Sequence, residues 1–492
     1  MRTFEVALWL LIAGWSLWWL VRPPKSKARA GLVAAAIVLL GVHVGHEGAR
    51  LQLVPIYLTM GALTGLTAWR WQEPPARGSR TGWALPMLLV VVLLVAGALP
   101  ALFPVFLYDT PGGKYAIGTA SYELADRGRN RALVVQFWYP AAAGAQGRRA
   151  GISPRPEALA DAYAAFTGLP RFAFDSLRLI KTHAIEDAPL SRARERFPIV
   201  LFSHGPGSGN RSQSIFQMEE LASRGFVVAA IDHTGYASTT IFPDGHAVPV
   251  GPSFSWPVFV DARSTAMLET WVKDARFVVD ELERLDTGDG RGLLTGRLDL
   301  SKIGYLGASF GGSVVVQALL DDPRLKAGLA QDGKPYFAEG TAASLHRPLM
   351  YMQSAAPYMN VSDAQLSQWG LNRARFKLAE QDHYLRQMRL FAGVDSPIYN
   401  VFIRRTNHVT FSDLYRIIRL PDAELMDVRR AHRIINDYTV AYFDRYLNGA
   451  SPALVDGRSP APYPEVTAIA RNAAAGSVAL AGPRAAPAGD GG

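Results

Sequence analysis

A glycine-rich motif in the middle of the chain limits the folds that it can adopt. Residues 307–312 read Gly-Ala-Ser-Phe-Gly-Gly; they follow the apolar run 302–306 and precede the run 313–320. The first run predicts a buried strand and the second a helix. Glycines two residues either side of the serine let strand and helix approach closely, and the sharp turn strains the serine and exposes its hydroxyl. The motif predicts the nucleophile elbow of an α/β-hydrolase; the alternative is a tight turn in another α/β domain.

The first 106 residues are mostly apolar, unlike the rest of the chain. Seven of the eleven tryptophans precede Ala84, and most of these stand at the ends of apolar stretches, as interfacial aromatic residues do. The stretches that approach or reach membrane-spanning length are residues 4–21, 30–45, 51–69 and 85–106. The pattern predicts an all-α membrane domain of about four transmembrane helices, and a buried soluble helical domain is the alternative.

Charges between these stretches predict an orientation. The first and third connectors carry seven basic residues, namely Arg22, Lys25, Lys27, Arg29, Arg70, Arg77 and Arg80. The opposite side offers only Arg2 and Arg50 among its short flanks. Because Lys and Arg concentrate in cytoplasmic loops, we expect a multi-pass protein of the cell membrane with everything after Phe106 on the extracytoplasmic side. A cleaved signal ending near Ala30 is the alternative for the first stretch, but the basic residues before that site favour an uncleaved helix.

Strand-like and helix-like segments alternate from residue 107 to about residue 449. This alternation is typical of a mostly parallel sheet flanked by helices, and so of the α/β class. We therefore expect a transmembrane helical region at 1–106, an α/β-hydrolase domain at 107–449 and a flexible Ala/Pro/Gly-rich tail at 450–492. The polar residues 360–387 predict a helical insertion between the last two strands of the domain.

The elbow serine, Ser309, needs a base to take its proton and an acid to orient that base. In this fold the acid follows the serine along the chain. Asp332 ends the predicted strand that comes after the elbow, where a carboxylate can reach the base, and its alternative role is to form a turn. Asp321 and Asp322 are weaker candidates because they lie at the end of a helix.

The base is expected to be His408, which lies just past the last predicted strand. In an α/β-hydrolase that loop delivers the histidine to the serine. His346, His383 and His432 also follow the acid along the chain. The first precedes a strand, and the other two lie in helical patterns, where packing or surface roles are more common.

An oxyanion formed at Ser309 needs two hydrogen-bond donors. The backbone N–H of Phe310, the residue after the nucleophile, is expected to be one. The other is expected from the loop 203–209, which follows the third strand. Pro206 in this loop has no N–H, so Gly207 or a neighbour is the expected donor. His204 is expected to orient the loop.

With these motifs in order, the chain resembles the platelet-activating-factor acetylhydrolase family of lipases, of the type II kind. The matching runs are residues 115–118, 137–140, 197–205, 221–233 and 307–312. The resemblance covers about residues 115–446 and implies a calcium-independent serine esterase that takes short or oxidised acyl groups. It implies Ser309, Asp332 and His408 as the catalytic triad. The chain departs from the family at Pro206, where the family has a residue with an N–H.

Other patterns narrow the function further. The chain has no cysteine, so its redox compartment cannot be inferred from disulfides. The net charge of +9 comes partly from the connectors, and the soluble part has no basic run with interleaved aromatics, so nucleic-acid binding has little support. No phosphate-binding loop, dinucleotide fingerprint or zinc-protease motif is present, and no cofactor is expected. His43, His46 and Glu47 have helical spacing that suits a metal or haem, but their position near the outer interface favours simple exposure, so no metal is expected.

The expected function is that of a membrane-anchored serine esterase or lipase. Its expected partners are an ester or phospholipid substrate and the lipid bilayer, and the oligomeric state stays open. Two alternatives remain. One is an acyltransferase that passes the acyl group to an alcohol instead of water. The other is a non-catalytic membrane receptor or scaffold that retains the fold.

Overall fold

The structure is a computed structural model of the chain. It describes residues 2–21, 26–69, 84–251, 262–288, 292–334, 345–354, 362–368, 371–392, 396–419, 424–456, 463–472 and 476–481. The chain divides into two compact units. The helical unit consists of Met1–Leu107, Tyr163–Ile180 and Arg416–Pro421, and the sheet unit contains the remaining residues. The first segment of the helical unit ends at Leu107, whereas the transmembrane region was expected to end at residue 106, and two later segments also belong to this unit.

Four helices occupy the apolar stretches of the helical unit. They are α1 Thr3–Val21, α2 Ser26–Glu47, α3 Val54–Trp69 and α4 Ala84–Leu102. Within the described residues, Lys27–Glu47 and Leu51–Ala68 are long and apolar enough to cross a bilayer, whereas Thr3–Trp18 and Val91–Leu102 are apolar but shorter. Length and composition therefore qualify two of the four predicted spans.

Polar side chains join the helix ends of this unit. Glu5 and Arg50 form a fully buried ion pair of 2.7 Å, and Arg50 also donates to the carbonyl of Phe103 at 2.8 Å. The two ring nitrogens of His43 lie 3.1 Å from the Glu47 carboxylate and 2.8 Å from the Tyr57 hydroxyl. No group of three or more possible metal ligands occurs among the described residues.

The two later segments of the helical unit contact the α2–α3 connection and the end of α4. The carboxylate of Asp175 accepts from the N–H of Leu51 at 2.9 Å, and the Gln52 side chain donates to the carbonyl of Phe172 at 2.7 Å. The Arg416 guanidinium lies over the ring of Phe106, 4.8 Å from its centroid. These contacts explain why segments expected in the α/β domain group with the helices instead.

Twelve strands form one sheet within the described part of the sheet unit. Across the sheet they are β14 Gly476–Ala481, β13 Val466–Asn472, β12 Ile398–Ile403, β11 Leu349–Ser354, β10 Leu325–Gln331, β9 Leu298–Ala308, β5 Phe197–Ser203, β6 Val227–Asp232, β2 Arg131–Ala141, β1 Ala116–Asp126, β4 Lys181–Glu186 and β3 Arg149–Gly151. The consecutive strands from β12 to β6 are all parallel. β7 Thr239–Ile241 and β8 Ala247–Pro249 form a separate antiparallel pair.

The helices that follow α4 are α5 Pro156–Thr167, α6 Ile215–Arg224, α7 Ala262–Thr287, α8 Phe310–Asp321, α9 Asp363–Gln368, α10 Arg373–Ala392, α11 Leu414–Ile417, α12 Val428–Asn448 and α13 Ala453–Asp456. Short 3-10 helices occur at Leu51–Leu53, Arg171–Leu179 and His408–Phe411. The expected helical insertion at 360–387 corresponds to α9 and α10, although residues 360–361 and 369–370 lie outside the described residues.

Helices cover both faces of the parallel strands. A Cβ built at Gly304 would lie 2.6 Å from the ring of Phe443 on α12, and one at Gly328 would overlap Leu319 on α8. Gly328 pairs with Tyr305, the neighbour of Gly304, and successive residues of a strand face opposite sides. α8 and α12 therefore lie on opposite faces, so the central strands are buried on both sides. This burial explains why β5 and β6 are almost continuous apolar runs. The prediction of an α/β-hydrolase-like fold is confirmed.

The C-terminal tail differs from its prediction. Residues 450–492 were expected to be flexible, but the described part of the tail contains α13, β13 and β14. β13 pairs antiparallel with β12 and extends the edge of the sheet. Val466 and Ala468, two positions apart on β13, are both buried. Their alternation is too short to stand out from the Ala/Pro/Gly-rich composition around it. Residues 482–492 lie outside the described residues.

Candidate active site

Ser309 lies between β9 and α8 in a conformation that few residues adopt. Its φ is +58°, and its N–H donates to the carbonyl of Gln331 at 2.8 Å. A Cβ at Gly307 would lie 2.2 Å from the carbonyl oxygen of Gly311, and one at Gly311 would lie 2.2 Å from that of Ser203. Backbone atoms cannot move aside as a flexible side chain can, so the turn requires both glycines. Ser309 is only half-buried, which leaves its hydroxyl accessible.

His408 reaches Ser309 from the loop after β12. It begins the 3-10 helix that Asn407 caps, since the Asn407 side chain accepts from the N–H of Thr410. The Nε2 atom of His408 lies 3.0 Å from the Ser309 hydroxyl oxygen, and its Nδ1 atom lies 3.1 Å from the carboxylate of Asp332. The histidine therefore bridges the serine and the carboxylate.

Asp332 follows β10 with a φ of +46°, and its N–H donates to the carbonyl of Met352 at 2.9 Å. Its carboxylate accepts two hydrogen bonds from Ser354, one from the backbone N–H and one from the hydroxyl, each 2.8 Å long. These bonds fix the carboxylate toward His408. The contribution of Ser354 was missed from the sequence, where the only signal is a polar residue at the end of β11.

The structure brings Ser309, Asp332 and His408 together. Two of the alternative candidates for the acid and the base, Asp322 and His432, contact other residues. Asp322 forms an ion pair of 2.7 Å with Arg324 at the end of α8. His432, on α12, stacks on the ring of Phe216 with 3.6 Å between ring centroids.

The oxyanion side of the serine only partly matches the expectation. Phe310 begins α8, and the first N–H groups of a helix have no acceptor within the helix and point beyond its start. Gly205 approaches the serine closely, since a Cβ there would lie 3.1 Å from that of Ser309. Gly207, the expected second donor, differs from the prediction: it has a φ of +71° and donates its N–H to the carbonyl of Tyr236 at 2.7 Å. The N–H of Gly207 is therefore used in a hydrogen bond to the backbone and does not point toward an oxyanion at Ser309 in this structure.

A second Ser-His-Asp array lies buried beneath this loop. His233 is 2.8 Å from the Ser203 hydroxyl through Nε2 and 2.9 Å from Asp274 through Nδ1. The Tyr305 hydroxyl lies 2.7 Å from the same serine oxygen. Ser203, His233 and Asp274 are all 0 % exposed, so a substrate cannot reach this serine. The array instead fixes the ends of β5 and β6, and β5 continues into the loop 203–209 beside Ser309.

Arginines from β2 and from the β1–β2 turn neutralise the buried carboxylate of Asp274. Arg131 donates two hydrogen bonds of 2.8 Å to it, and Arg129 donates one more of 2.8 Å. Burial alone would raise the pKa of Asp274, but the bonds from His233 and Arg131 outweigh burial and lower it. Trp271 stacks on His233 at 3.8 Å and meets the ring of Phe310 edge-on at 5.4 Å, so the array is packed against the elbow.

His204 orients the loop from a fully buried position. Its Nδ1 atom lies 2.8 Å from the carbonyl oxygen of Gly205, and its Nε2 atom accepts from the N–H of His233 at 3.2 Å. This arrangement requires a neutral ring with its proton on Nδ1. Burial, with the neighbouring His233, lowers the pKa of His204 to about 4. His204 thus remains neutral at physiological pH.

Known proteins resemble this chain in sequence and in fold. Residues 107–276 match the family model described as platelet-activating factor acetylhydrolase, isoform II. A platelet-activating factor acetylhydrolase of Cavia porcellus is 26 % identical over 286 residues, which cover 54 % of this chain and 61 % of that protein. The one from Canis lupus familiaris is 32 % identical over 175 residues, covering 31 % of this chain and 38 % of that protein. The chain thus spans less than two thirds of the length of these relatives.

A solved structure extends the likeness. The ferulic acid esterase from Streptomyces cinnamoneus superposes with a TM-score of 0.55 and 26 % identity, over 74 % of this chain and 99 % of that one. Its match supports the α/β-hydrolase-like fold. The family model and the curated relatives confirm the resemblance seen in the motifs: the chain is similar to platelet-activating factor acetylhydrolases, and residues 107–276 match the isoform II family model.

Proposed function

We propose that the chain is a membrane-anchored serine esterase that hydrolyses carboxylic esters. The observation that carries the proposal is the position of His408, 3.0 Å from the Ser309 hydroxyl and 3.1 Å from Asp332. Both distances lie within hydrogen-bond reach, as a nucleophile, a base and the acid that orients the base require. The names of the relatives, acetylhydrolase and esterase, describe the same class of reaction.

The proposed reaction proceeds through an acyl-enzyme. The Ser309 oxygen attacks the ester carbonyl while His408 Nε2 takes its proton, and the resulting imidazolium is stabilised by Asp332. When the tetrahedral intermediate collapses, the ester C–O bond breaks and His408 returns the proton to the leaving alcohol. Water then attacks the acyl-enzyme with the same proton transfers, which releases the carboxylic acid and restores Ser309.

The proposed substrates are short-acyl or phospholipid-type esters. The curated relatives are named for removing an acetyl group from platelet-activating factor, which favours small acyl groups. We extend the proposal to the location: the four apolar helices anchor the chain in the cell membrane, with the sheet unit on the extracytoplasmic side. The basic connectors and the two helical stretches of spanning length and composition support this part.

The test is hydrolysis of p-nitrophenyl esters, from acetate to palmitate, by the detergent-solubilised full chain. We expect turnover that falls with acyl length and that Ser309→Ala reduces by several orders of magnitude, because the nucleophile is lost. Ser301→Ala, which removes an exposed serine that hydrogen-bonds Asp299, is the control and should retain full turnover.

Three results would contradict the proposal. Full turnover by Ser309→Ala would exclude this serine as the nucleophile. Product formation only with an added alcohol acceptor would indicate an acyltransferase. Failure of the folded wild-type chain to react with a fluorophosphonate probe would indicate a non-catalytic protein that retains the fold.

A further inference from the structure

We propose that the side-chain amide of Gln213 supplies the second hydrogen bond to the oxyanion, in place of the backbone N–H that Pro206 lacks. The inference rests on the proposed function, because it concerns the oxyanion that forms when Ser309 attacks an ester. In this chain a polar side chain would donate to the oxyanion where the loop backbone cannot.

The backbone of the loop 205–209 has no uncommitted donor to offer. Pro206 has no N–H. Gly207, Ser208 and Gly209 donate to backbone carbonyls at 2.7, 2.8 and 3.1 Å. Turning one of these groups toward Ser309 would break a hydrogen bond that shapes the loop, at a cost of roughly 1–3 kcal/mol for a buried group left unsatisfied.

The remaining backbone donor in the loop is the N–H of Gly205, and its hydrogen-bond partner is the side chain of Gln213. The N–H of Gly205 donates to the side-chain oxygen of Gln213 at 2.7 Å. A Cβ built at Gly205 would lie 3.4 Å from the Ser309 hydroxyl oxygen and 3.7 Å from that Gln213 oxygen. The Gln213 side-chain oxygen therefore lies within about 7 Å of the Ser309 hydroxyl oxygen, on the side of the nucleophile that faces Gly205.

The loop is shaped to admit this carboxamide. A Cβ at Gly209 would lie 2.0 Å from the Gln213 side-chain oxygen, so only glycine leaves room for it. The main chain at Gln213 is also held, because its carbonyl accepts from the N–H of Asp413 at 2.8 Å. A side chain in so confined a position loses little freedom when a substrate binds.

The bond from Gly205 also fixes which end of the amide donates. An N–H can only donate, so the atom that it meets is the side-chain oxygen, and the NH2 group must occupy the other branch of the carboxamide. Gln213 as a whole is half-buried, so it is not sealed inside the loop. A neutral, pre-oriented donor of this kind is what stabilises a developing oxyanion.

The test compares Gln213→Ala and Gln213→Glu with the wild-type chain on p-nitrophenyl acetate. Removing one oxyanion donor costs about 10²–10³ in kcat, so we expect Gln213→Ala to lose that much with KM unchanged. Gln213→Glu keeps the acceptor oxygen for Gly205 but removes the donor, and it should lose at least as much. Gln317→Ala, which removes a half-buried glutamine of α8 whose side chain makes an exposed hydrogen bond to Asp321, is the control and should keep the wild-type kcat.

A rescue separates donation from a merely structural role. In the Gln213→Ala background, Pro206→Leu restores a backbone N–H to the loop and should recover kcat by about tenfold or more. A boronic or trifluoromethyl-ketone inhibitor, whose adduct carries an oxyanion-like oxygen, should bind Gln213→Ala more weakly by a factor similar to the loss in kcat.

Other outcomes overturn the inference. A Gln213→Ala variant with unchanged kcat would show that the amide does not donate, and a raised kcat would identify Gly205 as a donor that Gln213 blocks. If Gln213→Ala does not fold, wild-type kcat in folded Gln213→Glu has the same consequence. Either result leaves Ser309-dependent turnover, and so the proposed function, intact. Absence of that turnover in the wild-type chain would instead contradict both.

Discussion

Ser309 and Asp332 both have positive φ angles, +58° and +46°, although neither is glycine. Such conformations cost of order 1–3 kcal/mol each and persist only where the surrounding structure imposes them. Here the surroundings are identifiable: Gln331 and Met352 accept the two backbone N–H groups. Both strained residues sit at the ends of neighbouring parallel strands, where the candidate site forms.

Ser354 provides a test at the scale of one hydroxyl. Ser354→Ala removes one of the two bonds that hold the Asp332 carboxylate while keeping the backbone N–H bond. A hydrogen bond to a charged group is worth about 1.5–3 kcal/mol, so we expect kcat to fall by about tenfold or more as His408 loses its fixed partner. Steady-state ester hydrolysis measures the effect.

The control for that prediction is Ser301→Ala, whose hydroxyl donates to Asp299 at 2.6 Å on the exposed side of β9. It removes the same type of bond away from the site and should leave kcat unchanged. Equal losses in the two variants would indicate general destabilisation and would contradict a specific role for Ser354.

The residues of the site differ in how far the sequence could predict them. Ser309, Asp332 and His408 each follow a strand in a known chain order, so a pattern of strands was enough to single them out. Ser354 and Gln213 could not be found this way, because their contacts depend on how strand ends and loops come together in space. Gly207 was expected as a donor from proximity along the chain, but the direction of its N–H depends on a φ that the sequence does not specify.

At the scale of elements, the buried histidines of the β5 and β6 ends predict a pH dependence of stability. The pKa of His204 is lowered to about 4 by burial, against 6.5 in the unfolded chain. The unfolded state therefore binds more protons between these values. The contribution of neutral His204 to the free energy of unfolding is fully present above pH 6.5. It is lost as the pH falls toward 4, by roughly 3 kcal/mol in total. Burial lowers the pKa of His233 as well, which acts in the same direction.

Thermal unfolding of the detergent-solubilised chain between pH 8 and pH 4.5 measures this effect. His204→Asn keeps a side-chain N–H for the carbonyl of Gly205 but has no titrating ring, so its stability should fall less steeply over this range than that of the wild-type chain. Parallel curves for the two proteins would mean that His204 does not carry the linkage.

Most elements of the sheet unit were predictable because their periodicities are clear. The central strands are apolar on both faces, and α7 and α12 alternate apolar and charged residues. The C-terminal strands were not, because β13 and β14 are short strands in a composition that otherwise indicates flexibility. β13 pairs with β12, and β14 pairs with β13, so their formation depends on an available sheet edge, which is a property of the assembled sheet and not of the tail itself.

At the scale of the whole molecule, the proposed orientation predicts the fate of a reporter. A reporter enzyme that becomes active only outside the cytoplasm should be active when it is fused after Phe106. The reason is that the seven basic residues of the first and third connectors favour the cytoplasmic side, which places the residues after Phe106 on the opposite side. Cell fractionation and reporter activity measure the outcome. If a reporter that works only in the cytoplasm were active when fused at the same position, the assignment would be reversed.

The helical unit also includes Tyr163–Ile180 and Arg416–Pro421, which are made long after its last apolar helix. During synthesis, α1 to α4 have been completed when the ribosome reaches Leu107, yet their remaining partners arrive only with Pro421. At about 5–20 residues per second this interval lasts on the order of half a minute. Over that time the emerging chain must fold while the end of α4 and the residues just after it still lack their contacts with Arg416 and Arg419. A chaperone or a partner protein that covers this surface would therefore act in that interval, before the last helices of the chain are made.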